Sequence, residues 1–158
     1  VKTLEERFWS KVNKTDNCWD WQGSISRLGY GQIGVKRDGK FHPALAHRVS
    51  YEMLRGPLGT SEHVDHICRN RACVNPDHLR IVTPSENGQN KSGASKKNAS
   101  GFRGVTWHKA AKMWVARATV QGVTHTAGYF HDVNEAHAAV VELRKTIHTH
   151  NEADRRAA

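Results

Sequence analysis

The run His63-Val64-Asp65-His66-Ile67-Cys68-Arg69-Asn70-Arg71-Ala72-Cys73-Val74-Asn75-Pro76-Asp77-His78-Leu79, carried on through Arg80-Ile81-Val82-Thr83-Pro84-Ser85-Glu86-Asn87, decides how the rest of the chain is read. Two of the three cysteines fall in it, with several His, Asp and Asn residues and a strong helix-start signal. Cys68, Cys73 and His78 stand five apart, so a short loop can fold back and bring two thiolates and an imidazole onto one tetrahedral ion. That donor set suits zinc. Cys18, the remaining cysteine, is assigned as the fourth ligand. An isolated buried cysteine often serves only as a small hydrophobe; the even spacing and the matching histidine argue for a closed structural site instead.

Beyond His78, Leu79-Arg80-Ile81-Val82 is a short β-branched run that predicts a strand. Thr83-Pro84-Ser85-Glu86 then supplies an N-cap threonine, a proline at the first helical position and a glutamate at the third. A helix is predicted from about Pro84, with Asn87 on its first turn. Strand, zinc-pinned loop, strand and helix make a ββα unit in which Asp65, His66 and Asn87 are expected to face one cleft.

His66, Cys68, Cys73, His78 and Asn87 stand at relative positions 0, 2, 7, 12 and 21. Together with Asn75-Pro76 and Leu79, this pattern resembles the His-Cys box of homing endonucleases, within the wider HNH (ββα-metal) nuclease superfamily. The resemblance implies that His66 is the general base, that Asn87 holds a catalytic magnesium ion, and that the cysteines and His78 hold zinc. Asp65 matches a second magnesium ligand found in many HNH nucleases and absent from some His-Cys box enzymes. Manganese or calcium would be expected to take the place of magnesium in binding. The chemistry agrees with these roles. Hydrolysis of a phosphodiester needs a base near neutrality, and free imidazole titrates at about 6.5. It also needs a hard cation to offset charge on phosphate, held by carboxylate and amide oxygens.

The 158 residues are only 37% hydrophobic, so no large core is available and a metal staple would help a small domain fold. A formal charge of +9 and a pI near 9.8 point to a polyanionic partner, because clustered Lys and Arg displace counterions from phosphates; the resemblance implies that this partner is double-stranded DNA. No apolar run approaches the 18 or more residues of a spanning helix, so a membrane is not the expected partner. Zinc-binding thiols and an odd cysteine count favour a reducing, cytoplasmic and DNA-associated setting.

Upstream, Leu4, Phe8, Trp9 and Val12 have a helical rhythm, expected to pack as a lid. Two strands are predicted around Asp38-Gly39, with Lys36, Arg37 and Lys40 at a basic tip able to track a DNA backbone. Pro43 to Leu54 reads as an amphipathic helix carrying Arg48, a candidate clamp for the scissile phosphate. Downstream, the Gly-, Ser-, Asn- and Lys-rich stretch 91–100 is read as a basic linker, its Lys91, Lys96 and Lys97 running along phosphates.

Three strands and a helix are predicted after it, at Phe102–Trp107, Met113–Val120, Thr124–Phe130 and from Asp132 onward. Ala136, Ala139, Val140, Leu143 and Ile147 form one apolar stripe on that helix. Phe102-Arg103-Gly104-Val105, Trp114 with Ala116, Gly128 with Phe130 and the Ala-rich helix resemble the DNA-binding domain of plant ethylene-response factors, a sheet that lies in the major groove. Strand alternation then sends Arg117 and Thr119 outward with Arg103, Thr106, His108, Thr124 and Thr126, the expected DNA-facing set; Arg to a guanine edge is the commonest specific contact. Thr and His stand where the plant domains often have Arg or Trp, so no target sequence carries over.

The expected chain is therefore α+β: a zinc-stabilised ββα-metal nuclease module over residues 1–90, the linker at 91–100, a three-stranded antiparallel sheet backed by one helix at 101–150, and a frayed tail at 151–158. Its expected activity is metal-dependent, homing-endonuclease-like cleavage of DNA, with a double-strand break requiring a homodimer or two sequential nicks. The alternatives are a non-cleaving DNA-binding regulator that uses the zinc module as a scaffold, and a nuclease acting on RNA or without sequence preference.

Overall fold

Among the described residues every sheet has only two or three antiparallel strands. The computed structural model describes residues 2–91 and 93–155, and these form an α+β chain whose division into two compact units falls between Thr83 and Pro84.

In the first unit, helix α1 (Leu4–Trp9) opens with a capping box in which Thr3 and Glu6 satisfy each other's backbone N–H groups. The helical rhythm expected as far as Val12 stops at Trp9, because Val12–Lys14 is strand β1, paired with β2 (Trp19–Trp21). Helix α1 packs on the core as expected: Phe8 is fully buried in a cluster with Trp21, Ile33, Ala46, Val49 and Val74. Strands β3 (Gln32–Arg37) and β4 (Lys40–Leu45) form the expected hairpin, with Arg37 opposite Lys40 and positive φ at both Asp38 and Gly39. Such a two-residue turn matches the twist of its strands. Pro43, Ala44 and Leu45, expected at the start of a helix, belong to β4 instead, and α2 runs Ala46–Arg55. Pairing with β3 overrides the helical period there. Strands β5 (His63–His66) and β6 (Leu79–Val82) pair with Asp65 opposite Arg80 and His66 opposite Leu79.

The second unit begins with α3 (Pro84–Gln89), at the predicted start. Sheet β7 (Val105–His108), β8 (Met113–Val120), β9 (Val123–Phe130) is the predicted meander, backed by α4 (Val133–Ile147), whose N-terminus is capped by Asp132. Ala136 and Val140 of α4 pack on Val105, Ala116 and Ala118 of the sheet. Gly104 makes the approach to β7 possible: its φ is +84°, and a Cβ there would lie 2.5 Å from the Arg117 carbonyl oxygen.

The C-terminal segment is not frayed as expected. His148, Asn151 and Asp154 are buried, and Glu152–Arg155 forms helix α5. The cause is electrostatic. Arg144 of α4 is buried and takes Asp154 as its counter-charge through two bonds of 2.6 and 2.8 Å, so the polar composition that suggested a loose tail is what satisfies the guanidinium. Ser92 of the expected linker and residues 156–158 of the expected tail lie outside the described residues. No described helix is long and apolar enough to cross a membrane.

Candidate metal centre and nuclease site

Strand β2 brings the four zinc-ligand candidates together by adding to the loop between β5 and β6. Trp21 donates to the Ala72 carbonyl at 3.0 Å, and Val74 donates to the Trp19 carbonyl at 2.8 Å. Asn70 reinforces the junction by donating from Nδ2 to Asp20 Oδ1 at 2.7 Å. Cys18, one residue before β2, is thereby placed against Cys73. His78 arrives on a single 3₁₀ turn, Pro76–His78, capped by Asn75, whose side chain also donates to the Asn17 carbonyl at 2.9 Å.

The ligand atoms of Cys18, Cys68, Cys73 and His78 all lie within 4.8 Å of one another. His78 Nδ1 is 3.6 Å from the sulfurs of both Cys18 and Cys73. A tetrahedral ion with zinc–sulfur bonds of about 2.3 Å and zinc–nitrogen bonds of about 2.0–2.1 Å has a sulfur–nitrogen edge of roughly 3.6 Å. The four residues therefore fit zinc in donor type and in spacing. Packed this closely, the sulfurs cannot titrate independently. The Cys73 thiol is pushed up by its bond to Cys68 and then by burial, while the same bond holds Cys68 down. A cation would release the shared proton.

His66 is not part of this cluster. Its ring is buried, 5% exposed, with Nε2 3.1 Å from the Cys73 carbonyl oxygen, so the zinc loop orients it. The edge of His47 meets it with ring centroids 4.6 Å apart, and Tyr30 flanks both rings. Burial pushes the His66 imidazole below its ordinary value, opposed by the Cys73 carbonyl and by Asp65. Asp65 lies next to His66 on β5, opposite Arg80 in the β5–β6 register. Its Oδ2 accepts from Arg80 at 2.8 and 3.2 Å. The carboxylate of Asp65 and the amide of Asn87 are hard oxygen donors of the type magnesium takes.

Arg48 donates to the Glu62 carbonyl at 2.9 Å and lines a cavity of about 520 Å³ with Arg37, His42 and Glu52. Asn87 lies half-buried on α3, which packs in the second unit. Lys36, Arg37 and Lys40 are exposed at the β3–β4 tip, and Lys91, Lys96 and Lys97 are exposed as well. On the sheet, Thr106, Arg117, Thr119, Thr124 and Thr126 are exposed and share one face with His108. Arg103 does not join them. It donates from Nη1 to the Gln89 and Lys91 carbonyls and from Nη2 to Asp154, an internal role set by the counter-charge on α5.

Three residues escape sequence reasoning. His47 presses on His66 from α2, and only its place beside Arg48 in a helix hints at it. Arg80 holds Asp65, which the β5–β6 register reveals and spacing does not. Tyr129 lies on the outer sheet face, where its hydroxyl accepts from Arg117 at 3.3 Å and its ring meets His108; the alternation of β9 could have found it.

Residues 44–89 match the family model described as HNH endonuclease, which marks this segment as an HNH nuclease domain. The match contains β5, β6 and α3, and three of the four zinc candidates. The chain belongs to the same family as Protein 3.8 of Escherichia phage T7, with which it is 31% identical over 102 residues, 65% of this chain and 83% of that protein. It is also 40% identical to Protein 2.8 of the same phage over 85 residues, 53% of this chain and 56% of the relative. Protein 7.7 of that phage is 38% identical over 74 residues, 47% of this chain and 54% of the relative. The chain thus spans about half the length of Proteins 2.8 and 7.7. No solved structure matches it.

Proposed function

We propose that the protein is a metal-dependent DNA endonuclease in which His66 is the general base. One observation carries this reading: within the HNH-matched segment, His66 Nε2 is held 3.1 Å from the Cys73 carbonyl oxygen. A carbonyl only accepts, so Nε2 carries the proton of the neutral ring and Nδ1 keeps the lone pair. Nδ1 then takes the proton of the attacking water as its oxygen bonds to phosphorus. The bond from phosphorus to the 3′ oxygen breaks, and that oxygen takes a proton from solvent, leaving a 5′-phosphate and a 3′-hydroxyl. Asp65 and Asn87 would hold magnesium, which when bound offsets charge on the phosphate and on the departing oxygen. Burial of His66 between His47 and Tyr30 fixes its ring and excludes bulk water from one side. Arg48 is the candidate phosphate clamp.

The C-terminal sheet, by its resemblance to the ethylene-response-factor domain, targets the nuclease to duplex DNA. Its outer face of Thr106, His108, Arg117, Thr119, Thr124 and Thr126 is the reading surface, with Lys36, Arg37, Lys40, Lys91, Lys96 and Lys97 on the phosphate backbone. The arrangement is that of a homing endonuclease. Incubation with supercoiled plasmid and magnesium tests it: nicked circles whose ends are closed by DNA ligase are expected. Tight DNA binding without a nick in magnesium or manganese would establish the second reading, a non-cleaving DNA-binding regulator. That reading is favoured by the Arg80 guanidinium on the Asp65 carboxylate.

A further inference from the structure

The HNH match ends at Gln89, yet the residues that hold its last helix in place lie about sixty positions further along the chain. Helix α3 is six residues long and contains Gly88, so it has little stability of its own. What fixes it is a set of side-chain bonds to the segment after α4. Gln89 Oε1 accepts from the backbone of Thr149 at 3.0 Å, from its hydroxyl at 3.4 Å and from the backbone of His150 at 3.2 Å. Asn90 Oδ1 accepts from the Ala153 backbone at 3.3 Å, satisfying an N–H in the first turn of α5. The Gln89 carbonyl, at the end of α3, accepts from Arg103 at 3.1 Å. Arg103 and Arg144 then converge on the Asp154 carboxylate. Gln89 and Asn90 are both buried, so these amide oxygens have no water to fall back on.

We propose that residues 148–155 form a clasp that positions α3 and with it Asn87, making Gln89, Thr149 and Asp154 positioning residues for cleavage. The inference rests on the reading of Asn87 as a magnesium-holding residue. Its consequence is that the last helix of the nuclease motif takes its position from the unit that carries the sheet. A chain whose sheet unit has lost the clasp would keep zinc and bind DNA but cut it slowly.

The test uses the full chain with four substitutions: Asn87→Ala, Gln89→Leu, Gln89→Glu and Asp154→Asn. Zinc content, DNA affinity without magnesium, amide exchange of α3 and single-turnover cleavage are measured on each. For Gln89→Leu the expected result is unchanged zinc, DNA affinity within about threefold, faster exchange of the α3 amides, and cleavage slowed by about 10- to 100-fold through misplacement of the helix. Gln89→Glu, which keeps an acceptor oxygen, restores both exchange and cleavage. Asp154→Asn shifts exchange and cleavage in the same direction as Gln89→Leu. Wild-type exchange in α3 and wild-type cleavage for Gln89→Leu, beside an inactive Asn87→Ala, would overturn the clasp. Parallel loss of zinc or of DNA affinity in Gln89→Leu would also overturn it, as that marks a general folding role. Full cleavage by Asn87→Ala would instead overturn the reading of Asn87.

Discussion

Between Leu4 and Thr83 the buried side chains come from short, separate elements that a metal cluster can tie together, whereas between Val105 and Ile147 an Ala- and Val-rich helix face packs directly on a continuous sheet. The first unit places two cysteines, a third from fifty residues upstream and a histidine around one point. The second closes its polar end with Arg144, Arg103 and Asp154. A chain poor in large hydrophobes can therefore order itself by two routes, a metal staple or an internal ion pair on an apolar layer. The units should respond differently to the same perturbation.

The largest expected difference follows removal of the ion. Structural zinc in small domains is worth on the order of 10 kcal/mol or more. A strong chelator, or Cys73→Ser, is expected to unfold the first unit while amides of β8 retain their exchange protection. Simultaneous loss of protection in both units would dissolve the contrast. Next in size, Phe8→Ala in the first unit and Asp154→Ala in the second are each expected to cost about 3–5 kcal/mol, one by opening a cavity and the other by stranding a buried guanidinium. Denaturant titration should show that only Phe8→Ala weakens zinc retention.

Acid offers a smaller and graded probe. Burial, then the charges of His66 and Arg48, lower the His47 imidazole to about 3 from 6.5. The unfolded chain binds a proton there that the folded one refuses, so this contribution is complete above about pH 6.5 and is lost as pH falls toward 3. His47→Phe should flatten the pH dependence of stability in that window, by up to about 1.4 kcal/mol per pH unit. In the second unit burial raises the Asp154 carboxyl, but the Arg144 hydrogen bond and the charges of Arg144 and Arg103 outweigh it and hold it below its ordinary 3.8. Its stabilisation is present above pH 3.8 and disappears as pH drops through the lower value. Smallest is the loss of the Thr3 cap: Thr3→Ala should cost about 1 kcal/mol in the first unit alone.

Local chemistry was legible where it was self-contained. The five-residue spacing of Cys68, Cys73 and His78, the Asp38-Gly39 turn and the alternation of β8 each depend on neighbours in sequence, and each appears as read. Features set by distant partners were not legible. Pro43 to Leu45 carry a helical pattern but pair with β3. Arg103 alternates outward on paper but is claimed by Asp154, fifty-one positions away. The same carboxylate turned a polar tail into a folded helix. The expected boundary after residue 90 rested on composition; the compact units divide between Thr83 and Pro84, and Gln89, beyond that division, bonds to Thr149 sixty positions on.

The central claim is that the zinc loop presents His66 as the base. Single-turnover cleavage of a plasmid by His66→Ala, with zinc content matched to the wild-type protein, measures it most directly. The account predicts a fall of about 10²–10⁴-fold, the range set by losing a general base. Equal nicking by the two proteins would contradict it.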